Sequence, residues 1–356
     1  MTGSDTLWFV ITMESTLLLV AVLLLVGHGL WLWSSARRKT RQTRRARETI
    51  IPILAAATGD DGAGSDPVAH AAAVEVLQHL DAGVVAAVFL ELSRDVSGAG
   101  NNVLRSLATD AGLLTRAARM CHSRRWTRRL EGARLLSQLG GPDPVVHTLL
   151  HDGNPAVRTQ AVEWAASRAT PALVDDIVAL LASPDLHSRF AVQDALLRIG
   201  NPAIEPLVRY LAVHTGAAAR SGLELARAMP ESRFLPCAVE GLSSEFSDVR
   251  ASAAGLLGLI GGSDGASRLV DLLADEDADV RAEAARALGR MRHWPASARL
   301  ALALEDTSWD VRYAAAEALR AMGAPGVLQL RRLRTSPDRF ASEMAKLMLG
   351  IPETAS

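Results

Sequence analysis

Asp279-Val280-Arg281-Ala282-Glu283-Ala284-Ala285-Arg286-Ala287-Leu288-Gly289 is the stretch whose reading decides the fold, because close copies of it recur along the chain. Asp310-Val311-Arg312 opens the same phrase one unit later and Asp248-Val249-Arg250 one unit earlier, each followed by alanines and a leucine at helical spacing. Further upstream the phrase decays, yet an arginine stays in step at Arg220, Arg189, Arg158 and Arg129. These arginines stand 29 to 31 residues apart, and a fixed period of roughly 20 to 50 residues marks a solenoid. Each period holds two helices. In the Arg281 unit they run from Ala266 to Ala274 and from Asp279 to Met291, with Asp279 as N-cap after a turn at Asp275 to Ala278. Val280, Ala284 and Leu288 share one helix face, and a lone hairpin cannot bury that stripe, so neighbouring units must cover it.

The composition agrees with an all-α chain. Of 356 residues 49% are hydrophobic but only 4% aromatic, and Ala and Leu dominate, which suits helices packed through small side chains better than a β-rich core. The net charge is −1, but residues 1–48 hold seven basic and three acidic groups, which leaves the remainder mildly acidic. A phosphate-binding protein needs a basic face, so nucleic acid is disfavoured as the main partner. Cys121 and Cys237 are the only cysteines; they stand far apart and make neither a disulfide framework nor a cysteine metal site.

The amino terminus differs in character. Ser15 to Trp33 is an uncharged 19-residue run, nearly the length that crosses a hydrocarbon core of about 30 Å, with Trp8 at one end and Trp31 and Trp33 at the other. Arg37, Arg38, Lys39, Arg41, Arg44, Arg45 and Arg47 follow at once. This asymmetry predicts a single-pass helix in the inner (cytoplasmic) membrane through residues 7–33, with the amino terminus outside, the body cytoplasmic and the basic run against anionic lipid. The predicted organisation is an anchor over 1–36, a basic juxtamembrane segment and flexible linker over 37–65, a solenoid over 66–350 and a tail over 351–356. Asp66-Pro67 reads as an N-cap followed by proline at the first helical position.

The repeated phrase resembles HEAT repeats, and its length near 30 resembles the short form found in phycobilin lyases and their relatives. The resemblance runs clearly over 129–334 and weakly over 66–122; it implies an α-solenoid of HEAT-like helical hairpins. In that family an Asp in the turn and an Arg at the start of the second helix form a ladder. Asp152 and Arg158, Asp275 and Arg281, and Asp306 and Arg312 stand six apart in that pattern, whereas Arg189, Arg220 and Arg250 lack the matching Asp. A charged pair that recurs with the period of the fold reads as structure, since catalysis needs its pair once.

No catalytic constellation stands out. Gly255, Gly258, Gly261 and Gly262 follow no strand and precede no Gly-Lys-Ser/Thr, so they read as close-packing and helix-end glycines. The eight histidines of the body form neither a His-Glu-x-x-His pair nor a His-Glu dipeptide, the element on which HEAT-like di-iron hydroxylases rely. The chain therefore reads as no enzyme and as needing no cofactor or metal.

Candidate partner-binding positions are those where the repeat breaks, along the inner face of the second helices where HEAT solenoids bind. Five residues beyond the register arginines stand Glu163, Asp194, Leu225, Gly255, Arg286 and Glu317, and Gly222 lies in the neighbouring row. The rows are charged at the flanks and small or apolar in the middle, as a groove for a helix or extended segment would be, or as tight curvature would require. Trp126 and Trp309 sit three residues before a register arginine, as partner anchors or as lids on the local core. Arg116, Arg119, Arg124, Arg125, Arg128, Arg129 and Arg134 form a basic cluster. The expected function is a membrane-anchored, non-catalytic HEAT scaffold or adaptor that binds a protein partner; a chromophore lyase or isomerase and a HEAT-like nucleic-acid binder are the alternatives.

Overall fold

The computed structural model describes residues 3–58, 66–96, 98–140, 143–183, 186–262 and 265–350; the expected linker glycines at 59–65 and the tail at 351–356 lie outside the described residues. Helices and short 3₁₀ turns make up the regular structure, with no strand among the described residues. The chain divides into two compact units, 1–145 and 146–356.

The first unit is built on one long helix, α1 (Gly3–Thr58), followed by α2 (Pro67–Gln78), α3 (Ala82–Asp95), α4 (Ala99–Asp110), α5 (Leu113–Cys121) and α6 (Trp126–Leu139). Asp66 caps α2 as the sequence predicts, its carboxylate accepting from the Val68 N–H with Pro67 at the first turn. The carboxy-terminal half of α1 belongs to the packed body: Ala46, Ile50, Ile53 and Leu54 are buried where α1 meets α2, α3 and α4. Arg47 pairs with Glu91 of α3 at 2.6 Å, Arg44 with Glu48 one turn on, and Arg37 lies over the Trp33 ring at 3.7 Å.

The single-pass anchor is not upheld. Among the described residues no helix is long and apolar enough to cross a membrane, which overturns the single-pass inner-membrane placement with the amino terminus outside and the body cytoplasmic; membrane contact through 7–33 is not shown. The physical reason lies in α1 itself. Its exposed apolar residues from Val20 to Trp33 continue, without a break in the helix, into a segment whose Ala46, Ile50, Ile53 and Leu54 are buried in the body. The stretch includes His28, and the arginine run that follows is part of the same helix. The side chains of Trp8 and Glu14 lie outside those described.

The second unit begins inside α7 (Asp143–Leu150) and alternates first and second helices: α8 (Pro155–Arg168), α9 (Pro171–Ala179), α10 (Leu186–Ile199), α11 (Ile204–Leu211), α12 (Gly216–Ala228), α13 (Leu235–Gly241), α14 (Ser247–Ile260), α15 (Ala266–Asp271), α16 (Ala278–Arg290), α17 (Ser297–Leu302), α18 (Trp309–Ala321), α19 (Ala324–Leu333) and α20 (Arg339–Gly350). This is an α-solenoid of HEAT-like hairpins. The even-numbered helices stack side by side, most closely α12 to α14, α14 to α16 and α16 to α18. Val280, Ala284 and Leu288 are fully buried, so the stripe read from the sequence is the seam between units, and each large apolar side chain buried there contributes about 1.5–3 kcal/mol.

The close approach is set by small residues. A Cβ placed on Gly258 would lie 2.6 Å from the Ala287 Cα, and one on Gly289 would lie 2.7 Å from the Ala318 Cα, so backbone meets backbone at the same register position in successive units. The cap of α16 is Asp277, whose carboxylate accepts from the N–H groups of Asp279 and Val280. Asp279 thus sits in the first helical turn, where its charge favours the helix dipole, and is not the cap expected from the sequence.

The register arginines tie down their own turns, and Arg250 and Arg281 bind the following unit as well. Arg129, Arg158, Arg250, Arg281 and Arg312 each donate an Nη1–H to the backbone carbonyl six residues earlier, at 2.7–3.0 Å. The side-chain partner comes from the following unit: Arg250 makes a bidentate pair with Asp275 at 2.8 Å for both contacts, and Arg281 does the same with Asp306 at 2.7 and 3.0 Å. Arg250 is therefore matched, contrary to the within-unit expectation, because its aspartate stands 25 residues on. Asp275 and Asp306 also accept from the N–H two residues ahead, which shapes the turn. Arg312, in the next unit, faces the Phe340 ring of α20 at 4.5 Å. Arg220 binds Glu224 on its own helix at 2.8 Å and, more loosely, Asp248 of the next second helix at 3.5 Å, and Arg189 reaches Ser221 at 3.4 Å while its Nε is buried without a hydrogen bond.

Candidate functional site

The second-helix face of the second unit is where the repeat-breaking residues gather. On α8 and α10, Glu163 and Asp194 both bind Arg198, at 2.7 and 3.1 Å. All three stay partly exposed, so two carboxylates share one guanidinium at the surface. On α12, Leu225 is 2% exposed and Gly222 lies beneath Tyr210 and Leu211, where a Cβ would come within 2.8 Å of Leu211. These two positions belong to the core, and the small residues there serve close packing.

Between α12 and α16 the face becomes basic. Glu283 is buried, and its carboxylate collects Arg227 from α12 and Arg286 and Arg290 from its own helix at 3.0–3.3 Å. Gly255 of α14 stands between: a Cβ there would lie 2.6 Å from the Arg227 Cζ and 2.7 Å from a Glu283 oxygen. Gly255 is thus the gap through which Arg227 crosses one helix to reach the next. Glu317 of α18 is exposed beyond this group, beside a cleft bordered by Arg292, Arg320 and Arg331.

Trp126 and Trp309 are 45% and 53% exposed, and Trp309 stacks on Tyr313 with ring centres 5.0 Å apart. Trp126 belongs to the first unit and Trp309 to the second, each at the start of a second helix. Trp294, at the turn before α17, is 67% exposed and escaped the periodic reading because it lies outside the arginine register; an unmatched Trp-Pro dipeptide was its signal.

A smaller apolar cleft lies between the α11–α12 and α13–α14 hairpins, lined by Leu211, His214, Leu223, Cys237 and Val249. Burial pushes the Tyr210 hydroxyl up to about 12; it donates to the Ala218 carbonyl and stacks on His214 with ring centres 3.9 Å apart. Burial, then the neighbouring Glu240 charge, raises the half-buried Cys237 thiol. A thiol so raised stays protonated and is a poor nucleophile.

HEAT repeats match residues 142–228, 214–288, 235–320 and 266–350. No curated protein matches the chain. Among solved structures, Kap121p bound to Pho4p is similar with TM-score 0.50 and 12% identity over 85% of this chain and 41% of that one. An engineered protein shares 22% identity, with TM-score 0.39, over 87% of this chain and 95% of its own. Human deoxyhypusine hydroxylase in complex with glycerol shares 21% identity, with TM-score 0.29, over 66% of this chain and 94% of its own. At 12% identity the likeness to Kap121p speaks to the fold alone. The repeat pattern covers more than half of the chain, and the protein belongs to the HEAT-repeat family.

Proposed function

We propose that this protein is a non-catalytic scaffold that takes a protein partner along the second-helix face of 146–350. One observation carries the reading: the recurring arginines are largely engaged within the fold, Arg250 and Arg281 in ion pairs between units and Arg129, Arg158 and Arg312 on carbonyls of their own turns, whereas charged residues that break the period lie on that face. They form an acidic group at Glu163 and Asp194, a basic group around Glu283, and Glu317 with the exposed Trp309 beyond. Opposed charge groups along one face orient a partner and speed its encounter.

The test is affinity purification of the full chain from its own cells, wild type against the Glu163→Arg, Asp194→Arg double variant. Specific loss of a co-purifying protein in the variant is expected. An identical set of retained proteins, or turnover of a small molecule by the wild type, would overturn the proposal.

A further inference from the structure

We propose that Arg227, Arg286 and Arg290, gathered around the buried Glu283, form a preorganised site for the carboxylates of an acidic peptide segment. The site rests on the partner-binding reading of the face but goes further, to the chemistry of the ligand.

Glu283 is 8% exposed and stands where the three units before it hold Ala191, Gly222 and Ser252 and the unit after it Ala314; further upstream the row holds Gln160 and the half-buried Glu131. It is the one buried carboxylate in that row. Its Oε1 accepts from Arg227 at 3.1 Å and from both Arg290 terminal nitrogens at 3.2 and 3.3 Å, while Oε2 accepts from Arg286 at 3.0 Å. Three guanidiniums against one carboxylate leave an excess of two positive charges. Each guanidinium has five N–H donors, about fifteen in all, and Glu283 offers four lone pairs at most. Arg290 also donates to the Gly255 carbonyl at 3.5 Å, and the three arginine side chains remain 33–38% exposed, so part of their donor capacity is open to a ligand.

Glu283 fixes these side chains before any ligand arrives. An arginine side chain loses considerable rotamer freedom on binding, and a site whose forks are already held avoids much of that cost. Gly255 shows how specifically the chain arranges this: removing its side chain lets Arg227 span two periods to join the cluster. The planar forks suit the paired oxygens of a carboxylate. The excess of two charges suits a segment with adjacent acidic side chains.

Fluorescein-labelled hexaglutamate, titrated against the full chain at low salt and followed by anisotropy, tests the site. Saturable binding is expected. Arg286→Ala weakens it about tenfold, Arg286→Lys weakens it less because the charge remains without the fork, and Arg339→Ala, on α20 and away from the cluster, leaves it unchanged. Gly255→Ala is the second variant: it keeps every charge but displaces Arg227, and it too lowers the affinity. Thermal melts confirm that each variant is folded.

Absence of saturable binding, equal affinity in wild type, Arg286→Ala and Gly255→Ala, or tighter binding of labelled hexathymidylate than of hexaglutamate overturns the proposal. If hexaglutamate fails while the affinity purification still loses its protein in the Glu163, Asp194 variant, the anion site alone falls and the scaffold reading stands.

Discussion

At the residue scale the register arginines show how a repeated charge becomes structure. The guanidinium of Arg250 is almost enclosed, tied by two parallel bonds to Asp275 and by a third to the Ser244 carbonyl. Removing the aspartate leaves a buried charge with part of its hydrogen bonding gone, and breaking such a pair costs about 3 kcal/mol or more. Asp275→Ala is expected to lower the unfolding free energy by that order in chemical denaturation, well beyond the effect of cutting the exposed Arg339–Glu343 pair. Asp306 adds a pH signature. Burial pushes its carboxyl up, but the hydrogen bonds from Arg281 and the Ser308 N–H, with the charges of Arg281 and Arg312, hold it below the ordinary carboxylate range. A group depressed in the folded state stabilises fully above its unfolded value of about 4 and loses that contribution as pH falls through its folded value. Asp306→Asn is therefore expected to flatten the fall in stability below about pH 4, as measured by melts across pH.

At the element scale the second helices are set by glycine as much as by leucine. Gly289, in the last turn of α16, is the less favourable helix former, and alanine there would gain at most about 1 kcal/mol of propensity. The added Cβ would meet the Ala318 backbone, and overpacking of that kind costs about 1–3 kcal/mol, so the cost wins. Gly289→Ala is expected to lower the melting temperature, whereas the same change at the exposed Gly153, where nothing lies within 4 Å of the added Cβ, does not. The sequence made these helices legible through the period of the phrase and the apolar stripe Val280, Ala284, Leu288. It misplaced the cap by two residues, because Asp277 and Asp279 both suit a helix start and only the backbone course separates them. The ladder was legible as residues but not as pairs: spacing within a unit suggests Asp275 with Arg281, whereas stacking joins Arg250 to Asp275 across a unit boundary.

At the scale of the whole molecule, the period revealed the solenoid, and departures from the period marked the candidate face. The Glu283 cluster was hidden because Arg227 and Glu283 lie two units apart, a separation that no single repeat displays, although Gly255 already marked the place. Gly222 and Leu225 were drawn to the face by register alone and lie in the core, since a row of positions on a helix does not reveal its depth. The apolar amino-terminal run invited a membrane reading; the helix that contains it continues into the packed body instead. Trp309, half exposed beside Tyr313, contributes little to that body, and Trp309→Ala is expected to change stability by less than about 1 kcal/mol while weakening partner capture. The central claim is that the second-helix face of the second unit holds a protein. It is tested most directly by placing a photo-crosslinking amino acid at Glu317 on that face, and in parallel at the exposed Leu302 of the first-helix layer, and irradiating intact cells. A discrete crosslinked protein from position 317 and none from 302 is the predicted result; the same product from both positions, or capture from 302 alone, would contradict it.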